Sequence, residues 1–395
     1  MAEQSKEEPR PFSLVQGGLF YRFERLFRLV REVPPDPTFR MWAGVVVTFL
    51  PLVVLAAIQD VLIGPRVTLP LLLDFTIWAR FVIAIPLLVG AERNIDGRLA
   101  VAVRHFRTSE LVGEEARGGL EAAIAKAERA RDSVIPEGIL LAGAVALGWL
   151  NTHAVLGLPV SSWRAITPGL ESSMTLAGQW LDFVSLPLFN FLVFRWLWRI
   201  ALWSFFLRRV SRLPLNLVPT HPDGAAGLGF LGGIHAVFGA FLIPLSATVA
   251  ARGVQWVQYG EGTIESLRNG GIAFAVIALA ITLGPLLLFM PKLLATKRRG
   301  LLEYSGFALE YTRRFDQKWL RGGRGDEPLL GTADIQSLAD LANSYNIVRT
   351  MRIVPPSTRN AMPLILSIAL PMVPFLAAII PLKEILKLLL QLATR

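Results

Sequence analysis

Asp74, Arg80, Asp182 and His235 each lie inside a long stretch of otherwise apolar residues. An ionisable group in hydrocarbon is costly unless it is paired or wetted, so each is a candidate for carrying an ion or proton, or for a bond that fixes helix packing. Asp74 and Arg80 are separated by about 240° around a helix, which puts them on different faces. Arg80 therefore needs a partner on another element, and Asp182 is the expected acid. His235 is suited to proton relay or ligand binding, or to a single hydrogen bond across a helix contact.

A second group surrounds Thr220-His221-Pro222-Asp223-Gly224. His221 and Asp223 could hold a metal ion or move a proton, while Asp223 equally suits the N-cap of the element that follows. No second His or carboxylate follows at ligand spacing, so no metal site and no cofactor are expected. Arg195 and Arg199 share a helical face among Trp196, Trp198 and Trp203. That pattern fits arginines reaching lipid phosphates with indoles at headgroup level; the sharper alternative is a basic vestibule for anions.

The elements that must position these groups are membrane spans. Met41–Ile58 (span one), Gly138–Leu158 (three), Ala225–Ala251 (five), Gly270–Met290 (six) and Ala361–Leu382 (seven) carry no charge, and Leu69–Ala91 (two) and Trp180–Leu207 (four) reach the same length with embedded charges. About 20 apolar residues in a helix cover the hydrocarbon layer. With 53% hydrophobic residues and a mean hydropathy of +0.49, the reading is an all-α polytopic bundle of about seven transmembrane helices plus cytoplasmic and interfacial helices. The absence of cysteine excludes disulfides, thiolate metal sites and cysteine nucleophiles.

Of the 40 lysines and arginines, all but Arg66, Arg80, Arg164, Arg252, Arg268, Lys383, Lys387 and Arg395 fall on the side that carries the amino terminus. By the positive-inside bias the amino terminus is cytoplasmic and the carboxyl terminus outside, in a bacterial inner membrane, with Met41 onward acting as an uncleaved anchor. The net charge of +10 is thereby explained without nucleic acid.

Residues 1–40 form a cytoplasmic tail. Within it, Phe12 to Glu32 sets Leu19, Phe20, Phe23, Leu26, Phe27 and Val30 against Arg22, Arg25, Arg28 and Arg31. This basic amphipathic pattern predicts a helix on anionic headgroups, with packing on the cytoplasmic loops as the alternative. Residues 41–395 form the bundle, with cytoplasmic helical insertions at 93–134 and 296–360. The first insertion reads as one helix or two, since Gly113, Gly118 and Gly119 interrupt it. The second reads as a hairpin, Leu301–Leu320 and Thr332–Met351, docked under the bundle with Ile335, Leu338, Leu341, Ala342, Tyr345 and Val348 on one face. Pro51, Pro86, Pro187, Pro244, Pro285, Pro371 and Pro374 interrupt the spans. Gly227, Gly229 and Gly232 match G-x-G-x-x-G without the strand that a dinucleotide site needs. Ala225, Gly229 and Gly233 instead predict a small-residue face for close helix packing.

The string from Thr220 to Leu231, the Trp/Arg-rich end of span four and Thr332-Ala333-Asp334-Ile335-Gln336-Ser337-Leu338 together resemble an uncharacterised family of bacterial multipass membrane proteins. The resemblance implies a membrane bundle and brings no activity. From the residues alone, the first expectation is a protein that moves or conducts a small solute or ion, as a possible homo-oligomer. The second is a membrane sensor or scaffold whose cytoplasmic helices bind a partner. The third is a membrane enzyme using His221 and Asp223.

Overall fold

A computed structural model describes residues 12–26, 37–156, 161–166, 173–260, 262–322, 327–328 and 332–377. Among them the chain is all-α, with isolated β-bridges such as Leu69–Ser162 and Val112–Leu215 in the loops. In chain order the helices are α1 (Gly18–Leu26), α2 (Thr38–Ile58), α3 (Phe75–Thr108), α4 (Glu114–Arg131), α5 (Val134–Leu156), α6 (Leu176–Val210), α7 (Gly229–Tyr259), α8 (Ile264–Trp319), α9 (Ala333–Thr350) and α10 (Thr358–Leu376). Helices α2, α3, α6, α7, α8 and α10 are long and apolar enough to cross a membrane. Helices α4 and α5, bent by 45° at their junction, make a seventh only if the bent pair is counted as one span.

The outside of the bundle is apolar. Trp42, Val46 and Leu50 on α2, Ile139 and Trp149 on α5, and Ile272 and Val276 on α8 are exposed. Such a continuous apolar exterior suits lipid and would be a liability in water. The inside is filled by Phe81, Trp203, Phe206, Phe238, Phe241 and Phe289, all buried.

Three departures of the long helices from α geometry lie at prolines. A π turn over Trp78–Ala84 precedes Pro86, and another over Leu181–Ser185 precedes Pro187. Proline lacks an N–H and its ring collides with the carbonyl four residues back; widening the turn relieves both faults without ending the helix. At Pro285 the chain tightens instead, into a 3-10 stretch over Gly284–Phe289.

Two expected elements take a different form. Span two does not stop near the boundary: α3 continues to Thr108, and after Ser109–Gly113 the chain turns back as α4. The first insertion is therefore two helices, broken at Gly113, with Gly118 and Gly119 accommodated inside α4. Span six likewise continues as the first arm of the hairpin, through Trp319. Leu338, Tyr345 and the buried Leu341 and Val348 share the face of α9 that packs on α8, whereas Ile335 and Ala342 stay exposed.

The hairpin meets the bundle at its base. A Cβ at Gly300 would come within 2.7 Å of Pro219 and 3.1 Å of Val348, so glycine allows that approach. Lys297 donates to the Met351 carbonyl at 2.7 Å, and Tyr311 and Trp319 tie the arms together through Asp334. Lys318 and the Trp319 indole hold the Asp334 carboxyl below the ordinary range. Further out, Leu302, Phe307, Leu309, Leu320 and Ile335 are exposed, so the hairpin projects rather than lying fully docked under the bundle.

Candidate functional site

The end of the bundle that carries the amino terminus holds a buried charge centre. Glu92 lies on the inward stripe of α3 with Leu88, Ile95 and Leu99. Arg195 and Arg199 come from successive turns of α6, and Arg40 from the first turn of α2. All four side chains are about 5% exposed. Arg199 Nη1 lies 2.8 Å from Glu92 Oε1, Arg40 Nη1 lies 2.8 Å from Oε2, and Arg195 Nη1 stands off at 3.9 Å. Arg40 sits at a helix N-terminus, where the backbone dipole disfavours a cation, so the two carboxylates beside it are needed.

The second carboxylate is Glu24 on α1. Its Oε1 accepts from Arg40 Nε at 2.8 Å and lies 2.7 Å from Nη2. Burial pushes the Glu24 carboxyl above its ordinary value even against the pull of Arg40. The centre thus contains three arginines and two carboxylates. Glu24 Oε2, Glu92 Oε2, Arg195 Nη1 and Arg199 Nη2 are buried without a well-aligned hydrogen bond, Glu92 Oε2 having only the ion-pair contact to Arg40 Nη1. Arg195 faces the Phe20 ring at 4.4 Å, and Arg199 the Trp196 ring at 5.0 Å.

The first residues described bring α1 to this centre. Ser13 Oγ and the Leu14 N–H donate to Asp96 at 2.6 and 2.7 Å, one turn beyond Glu92. Phe12 packs against Trp203 and Phe206. Gly18, at φ +83°, turns the chain where a Cβ would stand 2.4 Å from Glu137, and the Phe20 N–H donates to Glu137 at 2.9 Å. Glu137 is in the first turn of α5, as its position relative to the helix dipole favours.

These contacts correct two sequence readings. Arg195 and Arg199 are not exposed at headgroup level in this structure: both are buried against Glu92, because that acid shares their level in the bundle. The amino-terminal segment is packed against the bundle rather than free of it: Phe12 to Val15 and Glu24 are buried, so it is the helices, not the cytoplasmic loops alone, that receive it. Arg22 and Arg25 point outward and are exposed, while Arg28 and Arg31 lie outside the described residues.

At the opposite end, Asp182 does not pair with Arg80. Arg164, from the loop before α6, takes it at 2.7 Å. Trp163 of the same loop is fully buried and donates to Asp74 Oδ2 at 2.9 Å, while Asp74 Oδ1 accepts from the Thr76 N–H and caps α3. Arg80 faces the Phe189 ring at 6.0 Å, and its Nε is buried without a hydrogen bond. Thr175 Oγ1 fixes the loop through the Trp163 carbonyl. The described part of this loop is thus folded into the mouth of the bundle. A cavity of about 50 Å³ remains beside Asp74, Arg164, Arg252 and Gln255.

His235 is fully buried between helices. Its Nε2 accepts from the Trp203 indole at 2.9 Å, and Nδ1 lies 2.6 Å from the Thr282 carbonyl. Both nitrogens are used in joining α6, α7 and α8, which is the packing role.

The loop ahead of α7 is a clamp. Asp223 accepts from the N–H groups of Ala225, Gly227 and Gly229 at 2.8, 3.2 and 2.7 Å, and its oxygen lies 3.0 Å from His221 Nδ1. Asp223 therefore serves the helix start, although Leu228 occupies the N-cap position. Burial alone pushes the Asp223 carboxyl up; the three N–H bonds and His221 outweigh it and hold the pKa below the usual range. Arg352 donates from its N–H to the Gly224 carbonyl and from Nη2 to the Asp223 carbonyl, both at 2.8 Å, joining the loop to the α9–α10 connection. Thr220 meets the Tyr304 hydroxyl at 3.5 Å. Among the described residues no three His, Cys, Asp or Glu side chains cluster to hold a metal. The expected close-packing face also shifts: Gly232 lies against Pro356 and Gly239 against Ser367, while Gly233 faces open space.

Sequence reasoning did not select Glu24, Arg40, Glu92 or Arg164. Glu92 carried a usable signal, since an acid at the end of span two stands level with two arginines at the same end of span four. Arg164 sits in an irregular loop, where no periodicity reveals a partner. No protein-family model, no curated protein and no solved structure matches this chain.

Proposed function

We propose that this protein is a membrane sensor or scaffold that presents its α8–α9 hairpin to a partner at the cytoplasmic face of a bacterial inner membrane. The observation that carries this reading is the hairpin itself. It extends a span directly, is clamped at its base through Arg352 and Gly300, and displays Leu302, Phe307, Leu309, Leu320 and Ile335 away from the bundle. The lysine and arginine bias supports the cytoplasmic side.

Solute movement, the first expectation from the sequence, receives less support. Asp74, Asp182 and His235 are engaged in structural bonds, and the Trp163–Arg164 loop fills one mouth. What favours it is the pair of π turns in α3 and α6, a feature often found at functional sites. An enzymatic role for His221 and Asp223 loses its main support, because the Asp223 oxygens are occupied by backbone N–H groups.

The absence of cysteine makes a direct test available. Single cysteines placed along α3, α6 and α7 in native membranes should resist water-soluble thiol reagents in mid-span, while cysteines at Leu302, Leu309 and Ile335 react unless a partner shields them. A photo-crosslinker at Leu302 or Ile335 should give a discrete adduct. A continuous reactive path through the three spans, with no adduct at the hairpin, would overturn the reading in favour of transport.

A further inference from the structure

The charge centre has an unusual composition: one of its two carboxylates, Glu24, belongs to a helix of nine residues at the edge of the bundle. Without Glu24, the three arginines would keep Glu92 as their one direct ion-pair partner, with Glu137 near Arg195 and Asp96 near Arg199 as further acids. Even with it, the match is poor. Arg40 presents a fork of two N–H groups, yet both fall on the single oxygen Glu24 Oε1, leaving Oε2 unbonded. Arg195 Nη1 and Arg199 Nη2 are also left without acceptors, and Phe20 covers Arg195. Guanidinium forks are best satisfied bidentately by an oxyanion with several oxygens, and an unpaired buried donor is expensive. A phosphate group offers more acceptor oxygens than the tethered carboxylate.

We infer that Arg40, Arg195 and Arg199 form a phosphate-binding site that α1 occupies in this structure with Glu24, so that phosphate binding and docking of α1 exclude each other. The ligand chemistry is a terminal phosphate group with at least three non-bridging oxygens, supplied by an acidic lipid headgroup or by a soluble phosphate. Glu92 stays in place as the spacer that holds Arg40 and Arg199 apart. Release of α1 removes Phe20 from Arg195 and frees the Arg40 fork together, while Ser13 and Leu14 on Asp96 resist release. The inference concerns a different part of the molecule from the hairpin and stands without it.

The test uses the full chain in nanodiscs. Spin labels on Arg22→Cys and Lys126→Cys, both exposed positions, report the distance between α1 and α4. In zwitterionic lipid the wild type should show one short distance. Phosphatidic acid in the disc, or inorganic phosphate added to a zwitterionic disc, should shift part of the population to a longer one; which of the two acts identifies the source. Glu24→Gln should bring the same shift at about tenfold lower ligand, the size expected for loss of one charge-assisted contact. Arg195→Gln in the Glu24→Gln background should abolish the ligand dependence. Thermal melting separates this loss from misfolding, and Arg195→Lys, which keeps the charge, should restore part of the response. No distance change with either ligand in wild type and in Glu24→Gln, or an undiminished response in both Arg195 variants, would overturn the inference.

Discussion

The indole N–H of Trp203 donates to Nε2 of His235 at 2.9 Å, and this fixes the histidine's tautomer. An indole can only donate, so Nε2 is the acceptor and the proton sits on Nδ1, which donates to the Thr282 carbonyl at 2.6 Å. One fully buried ring thereby joins three long helices. Replacing His235 by Ala leaves a buried N–H and a buried carbonyl unpaired, with an expected cost of about 2–4 kcal/mol. Trp203→Phe in the His235→Ala background should cost less than the sum of the two single changes, because the indole donor is then already without its acceptor. Thermal melts of the four proteins in one detergent measure the coupling; strict additivity would contradict the bond.

Arg164 and Arg80 should respond in opposite proportion to their depth in the sequence pattern. Arg164 comes from a loop but holds Asp182 at 2.7 Å, whereas Arg80 lies within a span and faces an aromatic ring. Arg164→Leu takes this partner from a buried acid and should cost about 3–5 kcal/mol. Arg80→Leu removes a cation that faces an aromatic ring instead of a carboxylate among the described residues, and should cost less. Ranking the two by denaturation midpoint checks the assignment, and the reverse order would restore Arg80 as the partner of Asp182.

The spans were legible because hydrophobic length is a property of the chain alone. The charge centre was not, because its members come from four separate segments and meet only through packing. Arg195 and Arg199 illustrate the difficulty. Their spacing and their tryptophans fit headgroup contact as well as they fit burial against Glu92, and only the neighbouring helix decides. Asp223 was legible as a cap because its acceptors lie within a few residues of it. The exposure of Ile335 and Ala342 beside buried Leu341 reflects the geometry of a two-helix contact, which buries a narrower stripe than the apolar set suggests.

Two glycines of α8 should behave oppositely when changed to alanine. At Gly300 a Cβ would approach Pro219 at 2.7 Å and Val348 at 3.1 Å, at the base of the hairpin. Gly300→Ala should therefore push the two arms apart and destabilise by about 1–3 kcal/mol. At Gly306 a Cβ meets nothing within 4 Å, so Gly306→Ala should stabilise by about 0.5–1 kcal/mol through helix propensity. Protease resistance of the hairpin gives the sign of each change.

The Asp223 clamp should make the connection between α6 and α7 acid-sensitive. Its carboxyl titrates below the ordinary value of about 3.9 because three backbone N–H groups and His221 outweigh the effect of burial. The unfolded loop then binds the proton more readily than the folded one, so stability rises with pH across the acid range. The contribution is fully present above the unfolded pKa and is lost as pH falls through the depressed folded value. Amide exchange at Gly227 and Gly229, whose N–H groups donate to the Asp223 carboxylate, reads this locally. Protection in the wild type should hold from neutral pH to about pH 4 and weaken below it, after correction for intrinsic exchange. Asp223→Asn should show weaker protection at neutral pH and little dependence on acid. His221→Ala should retain most of the wild-type profile, because the backbone bonds remain. A wild-type profile matching that of Asp223→Asn across the range would show that the carboxylate charge does not hold the loop.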